Sequence, residues 1–359
     1  MTVASKATEE HRIGAIDELR GLAFLVVLAS HVGLAYGLDS SFAYGLALPA
    51  FGVGVDLFFV ISGYVVAQSF ESLTVRANSD WRLATASFWI RRAIRIALPA
   101  WAIVLVIAAV RHIIVPVPRN DDLIAASTFV ANFYWAACST SALPCPDQLI
   151  AGHFWSLALE MQFYLLAPVL LSAPRRFVWP AGVLIIIVGA VIPRPVGGWL
   201  WSIRPEGFLL GLVLRQTSPA LPPMSLALAI YWLAVAAIFE RIAQRGLSGL
   251  GLTIVAIIFA GALAGRLNGR AASGQTAGLL RGIGRASFAG YLVHLPVLTA
   301  VRDLSLPQLG PSLSMALAGL AICVSSLAAD IFIVRPTARW SRSVSNFIII
   351  KNCVFSEAA

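Results

Sequence analysis

Charge is scarce in this chain. Asp, Glu, Lys and Arg make up 12% of its 359 residues, roughly half the share found in an ordinary soluble domain. With 59% apolar residues and a mean hydropathy of +0.84, this scarcity excludes a string of soluble domains and indicates a polytopic membrane protein. A glycine-rich phosphate loop of the nucleotide-binding type is missing, so any phosphate ligand would be held by side chains. RNA- and DNA-binding motifs are missing too. The formal net charge of +9 comes from basic residues clustered between apolar runs, which is a signal of topology and anionic membrane lipid, and no nucleic-acid partner is expected. The four cysteines, Cys138, Cys145, Cys323 and Cys353, do not have zinc spacing, and no metal is expected. Cys138 and Cys145 bracket the loop STSALP, and if that loop is external, either a disulfide or two free thiols fit. Internal repeats and low-complexity tracts are absent, and the lack of an inverted repeat weighs against a secondary transporter.

What the chain does have is long apolar stretches. Ten are long enough to span a bilayer, near 14–36, 48–70, 94–114, 153–172, 178–193, 198–215, 225–240, 247–265, 286–302 and 311–334. A weaker stretch, 122–137, begins at a pair of aspartates and reads as re-entrant or interfacial. With the N-terminus inside, 19 of the 26 Lys and Arg residues fall on inner segments and 7 on outer ones. The positive-inside rule then favours both termini in the cytoplasm and an even number of spans. The first thirteen residues are polar, and the apolar stretch after them is too long for a cleaved signal peptide, so it reads as a retained anchor. The expected fold is all-α, with a cytoplasmic tail 1–13, a membrane domain 14–335 of about ten helices and a cytoplasmic tail 336–359. The ten tryptophans read as an aromatic belt.

Ionisable residues inside such spans are costly and are functional hypotheses by default. Arg20 and His31 stand on the first stretch with ten residues between them. Eleven helical steps return to within roughly 20° of the starting face and rise about 16 Å. One face would therefore carry a cation near the surface and an imidazole about half a bilayer deeper. Asp17 lies three residues before Arg20 and can pair with it. Asp56, in GVGVDLFFVISGY at 52–64, sits early in the second span and calls for a cation, either Arg20 or a basic residue of the third span. In FWIRRAIRIALP, 88–99, Arg91, Arg92 and Arg95 form a dense cationic turn, with Arg92 and Arg95 on one face. Guanidinium groups in that arrangement suit phosphate oxygens. In HFWSLALEMQFYLLAP, 153–168, His153 and Glu160 share a helix face. Arg204 with Glu206, and His294, are weaker signals that a structural role explains as well.

Taken in order, these segments resemble the acyltransferase family 3 of integral membrane O-acyltransferases. The opening pattern of that family is matched by IDELRG with His31, its second-helix pattern by GVGVDLFFVISGY, and its R-x-x-R by Arg92 and Arg95. Its W-S-L-x-x-E is matched by Trp155, Ser156, Leu157 and Glu160, and its late S-x-x-x-Y-L-x-H-x-P by Ser287, Tyr291, Leu292, His294 and Pro296. The departures are Glu18, where glycine is usual, and Met161, where a second acid is common. The resemblance implies transfer of an acyl group, acetyl most often, from a cytoplasmic acyl-CoA to a hydroxyl of a carbohydrate or glycosylated acceptor, in the cytoplasmic (inner) membrane and in contact with its lipid, with no permanently bound cofactor. On this reading Arg20, Arg92 and Arg95 hold the CoA phosphates. His31 is the general base or a transient acyl acceptor, and Glu160 orients or charge-balances it as the third member of a triad would. Asp17, Asp56 and His294 play supporting parts, with Asp56 positioning the arginines. The second reading is a transporter or flippase for a polar lipid-linked substrate that uses the same buried ions as its pathway.

Overall fold

A computed structural model describes residues 3–38, 52–114, 121–143, 145, 150–243, 246–269 and 273–357. Among them there is no strand. The chain runs α1 (Val3–Ala35), α2 (Gly54–Arg76), α3 (Trp81–Arg92), α4 (Leu98–Ile114), α5 (Asp121–Ser127), α6 (Ala131–Ser139), α7 (Phe154–Ser172), α8 (Arg175–Val191), α9 (Glu206–Thr217), α10 (Leu226–Ala243), α11 (Ser248–Asn268), α12 (Gln275–Ala329) and α13 (Arg335–Glu357). Among the described residues six helical segments are long and apolar enough to cross a membrane: Gly54–Arg76, Trp81–Val110, Phe154–Ser172, Leu226–Ala243, Ser248–Asn268 and Gln275–Ile350. The protein is a multi-pass membrane protein.

Each expected stretch carries helix, but the details differ. The stretch 198–215 is helical only from Glu206, because Gly197 takes a left-handed φ of +84° and Pro205 opens the helix. At 12 residues this helix is about 18 Å long, short of the ~30 Å hydrocarbon core. The last two expected stretches fall on α12, whose two legs are separated by Gly310 at φ +72°. Ser305 Oγ lies 2.8 Å from Ser314 Oγ across that break. The 122–137 stretch forms α5 and α6, each too short to span. Buried Asp122 holds this excursion against α7 by accepting from the Ala151 amide at 3.1 Å. Cys138 and Cys145 are disulfide-bonded.

The core crossings are made at glycines. α1 lies along α12 where Gly284 faces the Asp17 carbonyl and Gly21 faces the Leu280 carbonyl. α2 lies along α9 where Gly63 faces the Phe208 carbonyl and Gly211 faces the Val60 carbonyl. Lipid tails are as apolar as leucine, so helices in a bilayer gain from close van der Waals approach, and small residues permit it. A Cβ at any of these four positions would collide with backbone, which cannot yield as a side chain can. Polar anchors fix the surrounding helices: Asp80 caps α3 by accepting from the Arg82 and Leu83 amides, and Arg91 donates to Ser345 of α13 at 3.2 Å.

A contrast between two glycines tests the crossing. Gly211→Ala should lower stability by about 3 kcal/mol or more, as overpacking does, and reduce the monodisperse yield in detergent. Gly182→Ala, in α8 with open space around it, should be neutral or gain up to ~1 kcal/mol from helix propensity. Thermal unfolding of the two purified variants provides the check, and equal melting temperatures would remove the close crossing as a stabilising feature.

Candidate functional site

Two cavities hold the ionisable residues. The larger, about 1030 Å³, is walled by α1, α2, α3, α7, α12 and α13. Arg20 enters it from α1, Arg92 from the end of α3, and Arg95 from a π-helical turn, Ala93–Ala97, that joins α3 to α4. A second π-helical turn, Asp330–Val334, follows α12 and brings Asp330 to the same cavity. A π turn inserts one extra residue per turn and re-aims the side chains after it, which is why such turns recur at functional sites. Arg285 and Arg335 also line the cavity. Arg335 is engaged by Asp330 at 2.7 Å. Arg20, Arg92 and Arg95 have no carboxylate within ion-pair distance among the described residues. The Arg92 guanidinium lies over the rings of Tyr164, at 4.7 Å, and Phe88, at 5.1 Å. Those aromatic faces offset part of the cost of taking it from water while leaving its N–H groups for an anion.

Glu160 lines this arginine cavity. Its carboxylate accepts hydrogen bonds from Ser62 of α2 and from Tyr164, one turn along α7. Asp17, at the cavity end of α1, has Arg20, Arg285 and Arg281 as its charged neighbours. The adjacent Glu18 is fully buried and bridges Arg266, at 2.6 Å, and Arg281, at 2.7 Å. The residue that departs from the family pattern is thus an ion-pair anchor between α1, α11 and α12.

The smaller cavity, about 190 Å³, is lined by His31, Ser30, Asp56, Arg204, Glu240 and three tryptophans. Its imidazole is oriented by a chain of bonds with a definite direction. His294 Nδ1 lies 2.8 Å from the Tyr291 carbonyl. A carbonyl only accepts, so His294 Nδ1 carries the proton and its Nε2 carries a lone pair. His31 Nδ1 lies 3.0 Å from the Val27 carbonyl and 3.2 Å from His294 Nε2. Two acceptors face this nitrogen, so His31 Nδ1 bears the proton and His31 Nε2 is left as the base. His153 packs its ring 5.0 Å from that of His294 and its Nε2 lies 3.3 Å from the Leu292 carbonyl.

Four expectations change here. Asp56 does not meet Arg20 or the third-span arginines: Arg204 Nη1 lies 3.2 and 3.0 Å from its two oxygens. Asp56 is in the first turn of α2, and that end of the helix faces the smaller cavity, while the arginine cluster lines the larger. Nor does Glu160 sit beside His31. The group that orients His31 is His294, placed by the α1–α12 crossing, while Glu160 is held by Ser62 and Tyr164 and the Tyr291 hydroxyl meets Ser156 and the His153 carbonyl instead. His153 and Glu160 share a helix face but have separate partners. Arg204 and Glu206 do not pair with each other. Arg204 holds Asp56, and Glu206 holds Arg194 at 2.7 Å. Sequence reasoning missed Ser62 and Tyr164 as partners of Glu160. The second was legible as the i+4 neighbour of a carboxylate on one helix, whereas Ser62 comes from another helix and left no local signal.

The family model described as "Acyltransferase domain" matches residues 13–334. Among the relatives is the peptidoglycan O-acetyltransferase OatA of Listeria monocytogenes, 29% identical over 187 residues, which are 49% of this chain and 27% of that protein. The O-acetyltransferase OatA of Staphylococcus aureus (strain NCTC 8325 / PS 47) matches over 44% of this chain and 24% of its own length, at 29% identity. A protein of S. aureus strain COL with the provisional name of an O-acetyltransferase is 32% identical over 164 residues, 44% of this chain and 24% of its own length. The chain thus spans about a quarter of the length of the curated relatives it matches. No solved structure matches. The family model extends from α1 through the second π turn, over all the cavity-lining helices but α13, and on that match the chain belongs to the acyltransferase domain family.

Proposed function

We propose that this protein is a membrane O-acyltransferase that moves an acyl group, acetyl above all, from acyl-CoA to a hydroxyl of a carbohydrate or glycosylated acceptor. The observation that carries the reading is a pairing of sites on α1: at one level a cavity with three arginines that, among the described residues, have no carboxylate within ion-pair distance, and about three turns further along a His31 oriented as a base. The names of the OatA relatives supply the acetyl group and the carbohydrate.

The donor end follows from charge. The CoA phosphates rest on Arg20, Arg92 and Arg95, with Arg285 at the rim, and the cavity's lining on α1 runs from Arg20 to Leu28, the direction the pantetheine arm takes toward His31. Glu160, fixed by Ser62 and Tyr164, offers a carboxylate to the amide N–H groups of that arm and limits the positive field of the arginines. At the acceptor end His31 Nε2 takes the proton of the acceptor hydroxyl as its oxygen attacks the thioester carbonyl. When the carbon–sulfur bond breaks, the CoA thiolate takes that proton from the imidazolium, so that an ester and free CoA leave. While His31 is charged, its Nδ1–H bond to His294 Nε2 becomes charge-assisted and roughly doubles in strength. His294 therefore fills the orienting role of the third member of a triad. The 19 to 7 split of basic residues supports about ten spans with both termini and the arginine cavity at the cytoplasmic side of the inner membrane.

His31→Ala should lower acyl transfer by ~10²–10⁴-fold at unchanged melting temperature. His294→Ala should lower kcat with little change in the KM for acyl-CoA, because His294 acts through His31. Detergent-purified protein assayed with radiolabelled acetyl-CoA separates these outcomes. Normal turnover in the His31 variant would take that residue out of the chemistry, and a purified wild-type protein that consumes no acyl-CoA would favour the transporter reading.

Arg92→Ala and Arg95→Ala should each weaken CoA binding about tenfold or more. Lysine replacements should lose less but still fall short of arginine, since an ammonium is a point charge and a guanidinium binds a phosphate through two parallel bonds. Isothermal titration with CoA checks this, and equal affinities across wild type and both alanine variants would reduce the cluster to a topology signal.

A further inference from the structure

Three of the ten tryptophans are placed differently from the others. Trp81, Trp101, Trp199 and Trp340 are between 42% and 55% exposed, as rings of an aromatic belt should be. Trp135 of α6, Trp155 of α7 and Trp201 before α9 instead face one another. Their ring centroids are 5.9, 4.8 and 4.7 Å apart, and Trp201 is 9% exposed. All three line the smaller cavity beside His31. The sequence reading assigned all ten to the belt, and these three do not belong to it.

The polar groups of that cavity define its ligand. The Arg204 guanidinium carbon lies 3.7 Å from the ring centroid of Trp201 and 4.8 Å from that of Trp155, and Asp56 holds it there. Glu240 is a third charged group in the wall and Ser30 supplies a hydroxyl. An apolar ligand would make no use of these polar groups, and a phosphorylated one would meet two carboxylates. The ligand that uses indole faces, carboxylates, a guanidinium and a hydroxyl together is a neutral ring with one C–H face and a rim of hydroxyls. At about 190 Å³ the cavity is below the ~300–1,000 Å³ of drug-sized sites, and it admits a single ring.

We propose that this tryptophan-walled cavity is the acceptor subsite and binds one hexopyranose ring, its C–H face against the indoles and one hydroxyl directed at His31 Nε2. The inference rests on the acyltransferase reading. Trp135 and Trp201 are specificity-determining residues in it, and Asp56 with Arg204 form its hydrogen-bonding edge. A flexible polyol has the same hydroxyls without the rigid C–H face, so it should not be retained.

The test measures binding apart from chemistry. Saturation-transfer NMR on the purified full-length protein in detergent, with methyl hexopyranosides as probes, should show saturation on the ring C–H protons and none on sorbitol. Trp201→Leu and Trp135→Leu should each weaken that binding about fivefold or more, and the milder Trp135→Phe guards against a folding defect. Trp340→Leu, at the exposed end of the molecule, should leave it unchanged. CoA affinity, measured on the same samples, should be equal in all four variants. Saturation on sorbitol equal to that on the pyranosides, no saturation on any pyranoside, or unchanged pyranoside binding in both Trp135 and Trp201 variants with CoA affinity intact would each overturn the subsite. Absence of acyl transfer in a protein that still binds pyranosides through these tryptophans would instead overturn the donor reading and leave the sugar site standing.

Discussion

The structure depends on the cost of burying charge. In a bilayer an isolated carboxylate or guanidinium is expelled unless another group satisfies it. The buried acids of the described residues each obey this. Asp56 holds Arg204, Glu206 holds Arg194, and Glu18 holds Arg266 and Arg281. Glu18 joins α1 to α11 and α12, and Asp56 ties α2 to the segment before α9, so these contacts select the helix arrangement as well as stabilise it, while Glu206 with Arg194 closes the connection between α8 and α9. Breaking one by removing a single partner is costly, about 3–5 kcal/mol for buried pairs in general. Against that background Arg20, Arg92 and Arg95 are conspicuous: Glu160 and Asp330 line the same cavity, yet among the described residues no carboxylate lies within ion-pair distance of the three.

The same constraint explains the form of the His31–His294 pair. A carboxylate beside His31 would itself need a cation in the interior. A second imidazole, with its own proton committed to the Tyr291 carbonyl, orients His31 without adding a charge at rest. The carboxylate that a triad would place there is kept at the arginine cavity, where Ser62 and Tyr164 hold Glu160 and cations are near. Glu160 and His31 are thereby kept on two cavities, and α1 connects them, with ten residues between Arg20 and His31.

Much of this was legible. Arg20, Arg92 and Arg95 were assigned to one ligand from helical spacing and charge alone, and they do line one cavity. His31 was singled out by its depth on the Arg20 face, and the helical stretches were found from hydropathy. What was not legible was partnership between helices. The helical period says that His153 and Glu160 share a face; it does not say which neighbour each meets. Asp56 was assigned to the wrong arginine because Arg204, about 150 positions later, offers no local pattern to connect the two. The tryptophans were assigned by composition to a belt, and composition cannot distinguish a ring that faces lipid from one that faces another ring.

The sequence by itself determined the class of protein, the location of its apolar helices and the residues capable of ionic chemistry, because hydropathy and helical period are local properties set by neighbours within a few turns. Only the tertiary structure decided which of those residues work together. The glycine crossings of α1 with α12 and of α2 with α9 bring backbones into contact. That contact sets the rotation and depth of each helix, and so places His294 rather than Glu160 against His31. A side chain's partner in the membrane follows from the crossing geometry of helices far apart in sequence, and no short window of residues contains that information.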